Sequence, residues 1–128
     1  MAYLKKTEGV LLIELGKKRV HLRYRQPTVD EMLSALAMKY QSHDPEQQAE
    51  DILRANLELG FNCLEGLISG ELMIDSGRGP ESLSSEPGQE GYRQDWKESV
   101  RNSFPALLVA LGQHLSDIPT RIEELKKK

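Results

Sequence analysis

The sequence has one cysteine, Cys63, and three scattered histidines, His21, His43 and His114. A lone thiol forms no internal disulfide, and these residues do not supply the usual ligand set of a structural zinc site, so no metal and a reducing compartment are expected. Long apolar runs are also missing. No stretch approaches the roughly 20 residues needed to span a bilayer, and Met-Ala-Tyr-Leu-Lys-Lys lacks the apolar core of a signal peptide. These absences predict a cytoplasmic chain with no membrane partner.

Catalytic signatures are lacking too. None of the histidines has a nucleophile or a carboxylate at a recognisable spacing. Cys63 falls within an apolar stretch, where a small buried side chain is expected. Ser76-Gly-Arg-Gly-Pro80 is glycine-rich but has neither the Gly-Lys-Ser/Thr ending nor the preceding strand of a phosphate loop. Asp30 with Glu31, and Glu46 with Glu50 and Asp51, are first-turn acids that favour the positive end of a helix. The expectation is a protein that is not an enzyme and needs no cofactor.

What is present is one domain's worth of pattern. A chain of 128 residues is within the range of a single core, roughly 100 to 150 residues. Hydrophobic residues make up 38% and charged residues 29%, which is polar enough to place part of the chain outside that core. Charge is segregated. Residues 1–26 carry seven Lys or Arg against Glu8 and Glu14, net +5, which leaves −8 for the remainder of a chain of net charge −3.

Val10–Leu15 and Arg19–Arg25, separated by Gly16-Lys17-Lys18, read as a β-hairpin. Val20, Leu22 and Tyr24 alternate with His21, Arg23 and Arg25, and Leu11, Ile13 and Leu15 are expected to point inward with the first set. Lys17, Lys18, Arg19, Arg23 and Arg25 form a basic hairpin face. Tyr24 lies on the other side and cannot stack on bases beside them, which disfavours nucleic acid as the partner. Lysines at exposed strand edges also discourage unwanted pairing.

Pro27 ends the second strand because it has no amide to donate and keeps Gln26 out of the helical region. Thr28-x-x-Glu31 then matches a capping box. Val29, Met32, Leu33, Leu36, Ala37 and Tyr40 follow as one apolar stripe, positioned to bury the hairpin. Asp44-Pro45 opens a second helix, predicted to run to about Ser69 and to stop at Gly70. Its internal Gly60 and Gly66 each cost about 1 kcal/mol against alanine and imply close packing or a kink.

Residues 75–91 are rich in Gly, Ser, Pro and Glu and read as a flexible loop. Helices are predicted from Gln94 to Ser103 and from Pro105 through Leu115, with a last turn through Ile122 and Leu125 before Lys126-Lys127-Lys128. The expected fold is therefore α+β and mostly helical, an N-terminal β-hairpin packed on a bundle of about four helices. It forms a single domain over residues 1–128, divided as hairpin 1–26, two helices 27–74, loop 75–91 and C-terminal helices 92–128.

This order of elements, with Tyr24-Arg-Gln-Pro-Thr-Val-Asp-Glu at the strand-to-helix junction and Phe104-Pro105-Ala-Leu-Leu opening the closing helix, resembles the tail assembly chaperones of long-tailed phages and prophages. The resemblance implies a non-enzymatic function in the bacterial host cytoplasm: binding the hydrophobic, helical tape measure protein during tail morphogenesis. It implies an exposed apolar face for amphipathic helices, expected at Leu57, Phe61, Leu64 and Ile68. It also implies self-association, for which the hairpin edge offers a route, and a longer form made by ribosomal slippage, for which adenine-rich codons at Lys126–Lys128 would be suited. The competing readings are a generic helix-binding adaptor or secretion-type chaperone and, behind it, a basic-hairpin nucleic-acid binder.

Overall fold

The fold comes from a computed structural model and describes residues 8–75, 77 and 79–116. The expected turn at Asp117-Ile-Pro-Thr, the last turn through Ile122 and Leu125, and the terminal lysines lie outside the described residues. The described chain is mixed α+β, with four helices and two small antiparallel sheets. Its described residues group into two compact units: residues 8–26 with 63–104, and residues 27–62 with 105–116.

In the first unit the hairpin is formed by β1 (Glu8–Leu15) and β2 (Lys18–Arg25), in register from Glu8 opposite Arg25 to Leu15 opposite Lys18. Gly16 has φ +61° and, among the described residues, no residue other than glycine has positive φ, so the two-residue turn is type II′, with glycine at its first central position. A Cβ at Gly16 would meet nothing within 4 Å, so its cost is purely conformational. Gly16→Ala is accordingly expected to lose about 1 kcal/mol of stability in urea unfolding; an unshifted midpoint would contradict the turn type.

Val20, Leu22 and Tyr24 are buried on β2, as the alternation requires, and Leu11 and Ile13 opposite them are half-buried. Leu15, expected inside, is exposed at the turn. The hairpin is completed by a third strand, β3 (Leu64–Leu67), giving the order β1-β2-β3. This overturns the helix predicted to reach Ser69. A short apolar run of four residues fits either period, and the strand is selected by the open side of β2, 40 residues earlier in the chain. Gly66 lies opposite Arg23, whose guanidinium crosses it where a Cβ would stand.

Residues 75–91 are also more ordered than their composition predicts. β4 (Leu72–Asp75) pairs with β5 (Pro80–Leu83), and Leu72, Leu83, Ser84 and Ser85 are buried. Gly77, Gly79, Gly88 and Gly91 all have positive φ, so the glycines serve turns here and do not mark disorder. Ser85 Oγ accepts from the Leu67 amide (2.8 Å) and donates to the Leu67 carbonyl (3.3 Å), closing the outer side of β3 at that residue. Ser85→Ala strands two buried backbone groups and is expected to cost about 2 kcal/mol. A loss under about 0.5 kcal/mol would mean that water replaces the hydroxyl. The unit ends in helix α3 (Trp96–Ser103), which buries Val100.

Among the described residues the second unit holds three of the four helices, α1 (Val29–Lys39), α2 (Pro45–Cys63) and α4 (Pro105–Ser116). Thr28 caps α1 with both bonds of the capping box in place. α2 and α4 run antiparallel: Gly60 abuts Leu108 and Gly112, Gly112 abuts Asn56, and Asn56 Oδ1 lies 3.4 Å from Ser116 Oγ. At both glycines a Cβ would overlap a carbonyl oxygen of the facing helix, so the two backbones touch with no side chain between them. Ala55 and Leu59 pack in this unit with Leu107, Leu108, Leu111 and Leu115 as its buried core.

Candidate functional site: apolar surface of the helical unit

The apolar stripe of α1 is not buried. Val29, Leu33, Leu36 and Tyr40 are 74%, 57%, 47% and 66% exposed, and Ala35 is the one buried residue of the helix. Their spacing of four, three and four residues forms a single seam of the type that receives a partner helix. α1 meets α2 through its opposite side, where Ala35 and Met38 with Ala55 and Leu59 floor a cleft of about 200 Å³, rimmed by Asp30, Glu31 and Glu58. The sequence assigns the stripe to the core because periodicity locates an apolar face without saying what covers it.

A second apolar depression, about 380 Å³, opens between α2 and α4, lined by Leu53, Leu57, Pro105, Ala106 and Val109 and edged by the Glu50–Arg54 pair (2.9 Å). Of the four residues expected to bind a partner, only Leu57 lines it. Phe61 is half-buried one turn further along α2. Leu64 is buried in β3, and Ile68 is exposed just after that strand in the other unit. These four residues would share a helix face only if the helix continued to Ser69. It stops at Cys63, and the group is divided.

No family model, curated protein or solved structure matches this chain. The functional reading therefore rests on the chain's own surfaces.

The three arginines of the basic hairpin face are each beside a carboxylate. Arg23 bonds Glu86, Arg25 Nε lies 3.6 Å from Glu65 Oε1, and Arg19 Nε lies 3.9 Å from Glu14 Oε1. His21 donates its amide to Glu71 Oε1 (2.8 Å), and its Nδ1 lies 2.7 Å from Glu71 Oε2. Arg25, His21 and Arg23 thus meet carboxylates 40, 50 and 63 residues further along the chain, so part of the charge segregation seen in sequence is answered by long-range contacts. Lys17 and Lys18 remain exposed at the turn. A phosphate backbone would have to compete with carboxylates already at bonding distance, which weakens the nucleic-acid reading.

Cys63 is buried. Among the described residues no group of three or more His, Cys, Asp or Glu could hold a metal, and no helix is long and apolar enough to cross a membrane. The helical unit is acidic: residues 27–62 carry seven Asp or Glu against Lys39 and Arg54, and α4 has neither Lys, Arg, Asp nor Glu. Lys39 donates to Ser116 Oγ (3.0 Å), which ties the end of α1 to the end of α4.

Proposed function

We propose that this protein is a non-catalytic assembly chaperone of the phage or prophage tail type, holding an amphipathic, helical tape measure protein in solution until tail tube subunits enclose it. One observation carries the reading: α1 presents Val29, Leu33, Leu36 and Tyr40 outward as a seam, on a helix whose start is fixed by a complete capping box. A helix firmly formed before binding loses little conformational entropy when a second helix packs against it.

Magnitudes favour a surface larger than that one seam. Burying each large apolar side chain contributes about 1 to 2 kcal/mol at partial exposure, against an association cost of about 4 to 15 kcal/mol. The stripe alone is therefore marginal, and the α2–α4 depression at Leu53, Leu57 and Val109 supplies further area on the same unit. Many weak contacts suit a chaperone that must later release its client to the polymerising tube.

Co-expression with a long tape measure protein tests the proposal. The client is expected to move from the insoluble to the soluble fraction and to co-purify. Equal insolubility with and without this chain would sink the reading, and solubilisation of unrelated amphipathic helices to the same degree would favour a generic adaptor.

A further inference from the structure

We propose that residues 117–128 of this chain fold back along α1 and pack Ile122 and Leu125 against Leu36 and Leu33, so that the chain carries its own competitor for the apolar seam. The segment lies outside the described residues, and the described ones fix where it begins and what it meets.

One contact sets the starting point. Lys39 Nζ donates to Ser116 Oγ (3.0 Å), so the last residue of α4 sits beside the C-terminal end of α1, one residue before Tyr40 closes the seam. Residue 117 therefore enters at one end of the stripe, and Val29 marks the other. α1 has eleven residues, about 16 Å of helix. The twelve residues of 117–128 span about 18 Å in the same form. Pro119 holds Ile118 out of the helical region and suits the first position of a new helix, which places the reversal of direction at Asp117-Ile118.

The two patterns correspond. From its C-terminal end the α1 seam runs Tyr40, Leu36, Leu33, Val29, at steps of four, three and four. The segment runs Ile118, Ile122, Leu125, at steps of four and three. An antiparallel alignment of Ile118 with Tyr40 therefore also sets Ile122 against Leu36, Leu125 against Leu33 and Lys128 against Asp30. Charge agrees with that register. Asp30 and Glu31 lie in the first turn of α1, Glu58 rims the cleft beside them, and residues 27–62 carry seven Asp or Glu against Lys39 and Arg54. Lys126, Lys127 and Lys128 arrive at this acidic end, whereas a parallel arrangement would bring them to Lys39. In a helical projection Glu123 and Glu124 fall on the side away from Ile118, Ile122 and Leu125.

Tethering selects this occupant over a separate molecule. Four partly exposed apolar side chains are too few to offset the cost of association by themselves, but a segment joined to the seam by continuous chain has an effective concentration on the order of 1 mM. Weak contact then suffices to keep it docked about half to two-thirds of the time, which raises a competing partner's apparent Kd only about 2- to 3-fold. That consequence alone rests on the chaperone reading: a client helix displaces the segment, and the segment recovers the surface once the client has left for the tube.

The register makes the test specific. In the full chain, Leu36→Cys with Ile122→Cys is expected to form an internal disulfide under mild oxidation at least about 10-fold faster than Leu36→Cys with Glu124→Cys, which has the same tether and the opposite face. Buried Cys63 does not compete, and Leu36 is exposed, so its replacement leaves the buried core intact. With Leu36→Cys alone, maleimide labelling should accelerate about 2- to 3-fold when Ile122→Asp is added. Equal disulfide rates at positions 122 and 124, or labelling indifferent to Ile122→Asp, would overturn the proposal. A covalent dimer in place of the internal bond would overturn it too, by assigning the seam to a second copy. No client takes part in these measurements, so their failure leaves the proposed function standing.

Discussion

Gly60→Ala and Gly112→Ala are each expected to lower stability by about 2 to 3 kcal/mol in urea unfolding, although alanine is the better helix former by about 1 kcal/mol. Propensity loses because the added methyl has no free volume. At Gly60 it would overlap the Leu108 carbonyl oxygen, and at Gly112 that of Asn56. Backbone oxygens held in helices cannot rotate aside, so α2 and α4 must separate and loosen contacts around Leu107, Leu108 and Leu111. Both substitutions push apart the same crossing, so the double variant should lose less than the two single losses combined. Stabilisation by either alanine would show that the helices do not approach as closely as described.

The second large effect concerns binding. Under the proposed function, Leu33→Glu together with Leu36→Glu is expected to weaken capture of a tape measure protein by at least about 100-fold, measured by co-purification or titration. The urea midpoint should move by no more than about 0.5 kcal/mol, the usual range for exposed positions. Truncation of buried leucines costs about 2 to 5 kcal/mol, so the pair of measurements separates a docking seam from a core. Loss of stability without a selective loss of binding would return the stripe to the interior, as its periodicity alone suggests.

The seam illustrates which parts of the site were legible. Thr28 and Glu31 announce the start of α1, and the four-three-four spacing announces its apolar side. Exposure is a property of what packs nearby, and α1 meets α2 through Ala35 and Met38 instead. Leu53 belongs to the apolar set of the second helix in sequence, but that it lines a depression with Val109 carries no signal there, because the groove exists only once two distant helices cross at Gly60 and Gly112. Leu64 and Ile68 were assigned to the wrong element, since Leu-Glu-Gly-Leu is too short to distinguish a helix end from a strand.

The sequence by itself determined the features set within a few residues: the turn at Gly16, the break at Pro27, the cap at Thr28 and the helix starts at Pro45 and Pro105. Each follows from a backbone angle or from a hydrogen bond spanning three or four residues. The tertiary structure alone decided that Leu64–Leu67 is a strand, that the basic face meets Glu65, Glu71 and Glu86, and that α1 turns its leucines outward. Those outcomes depend on partners that lie tens of residues away in the chain, and no local preference specifies which of them will arrive.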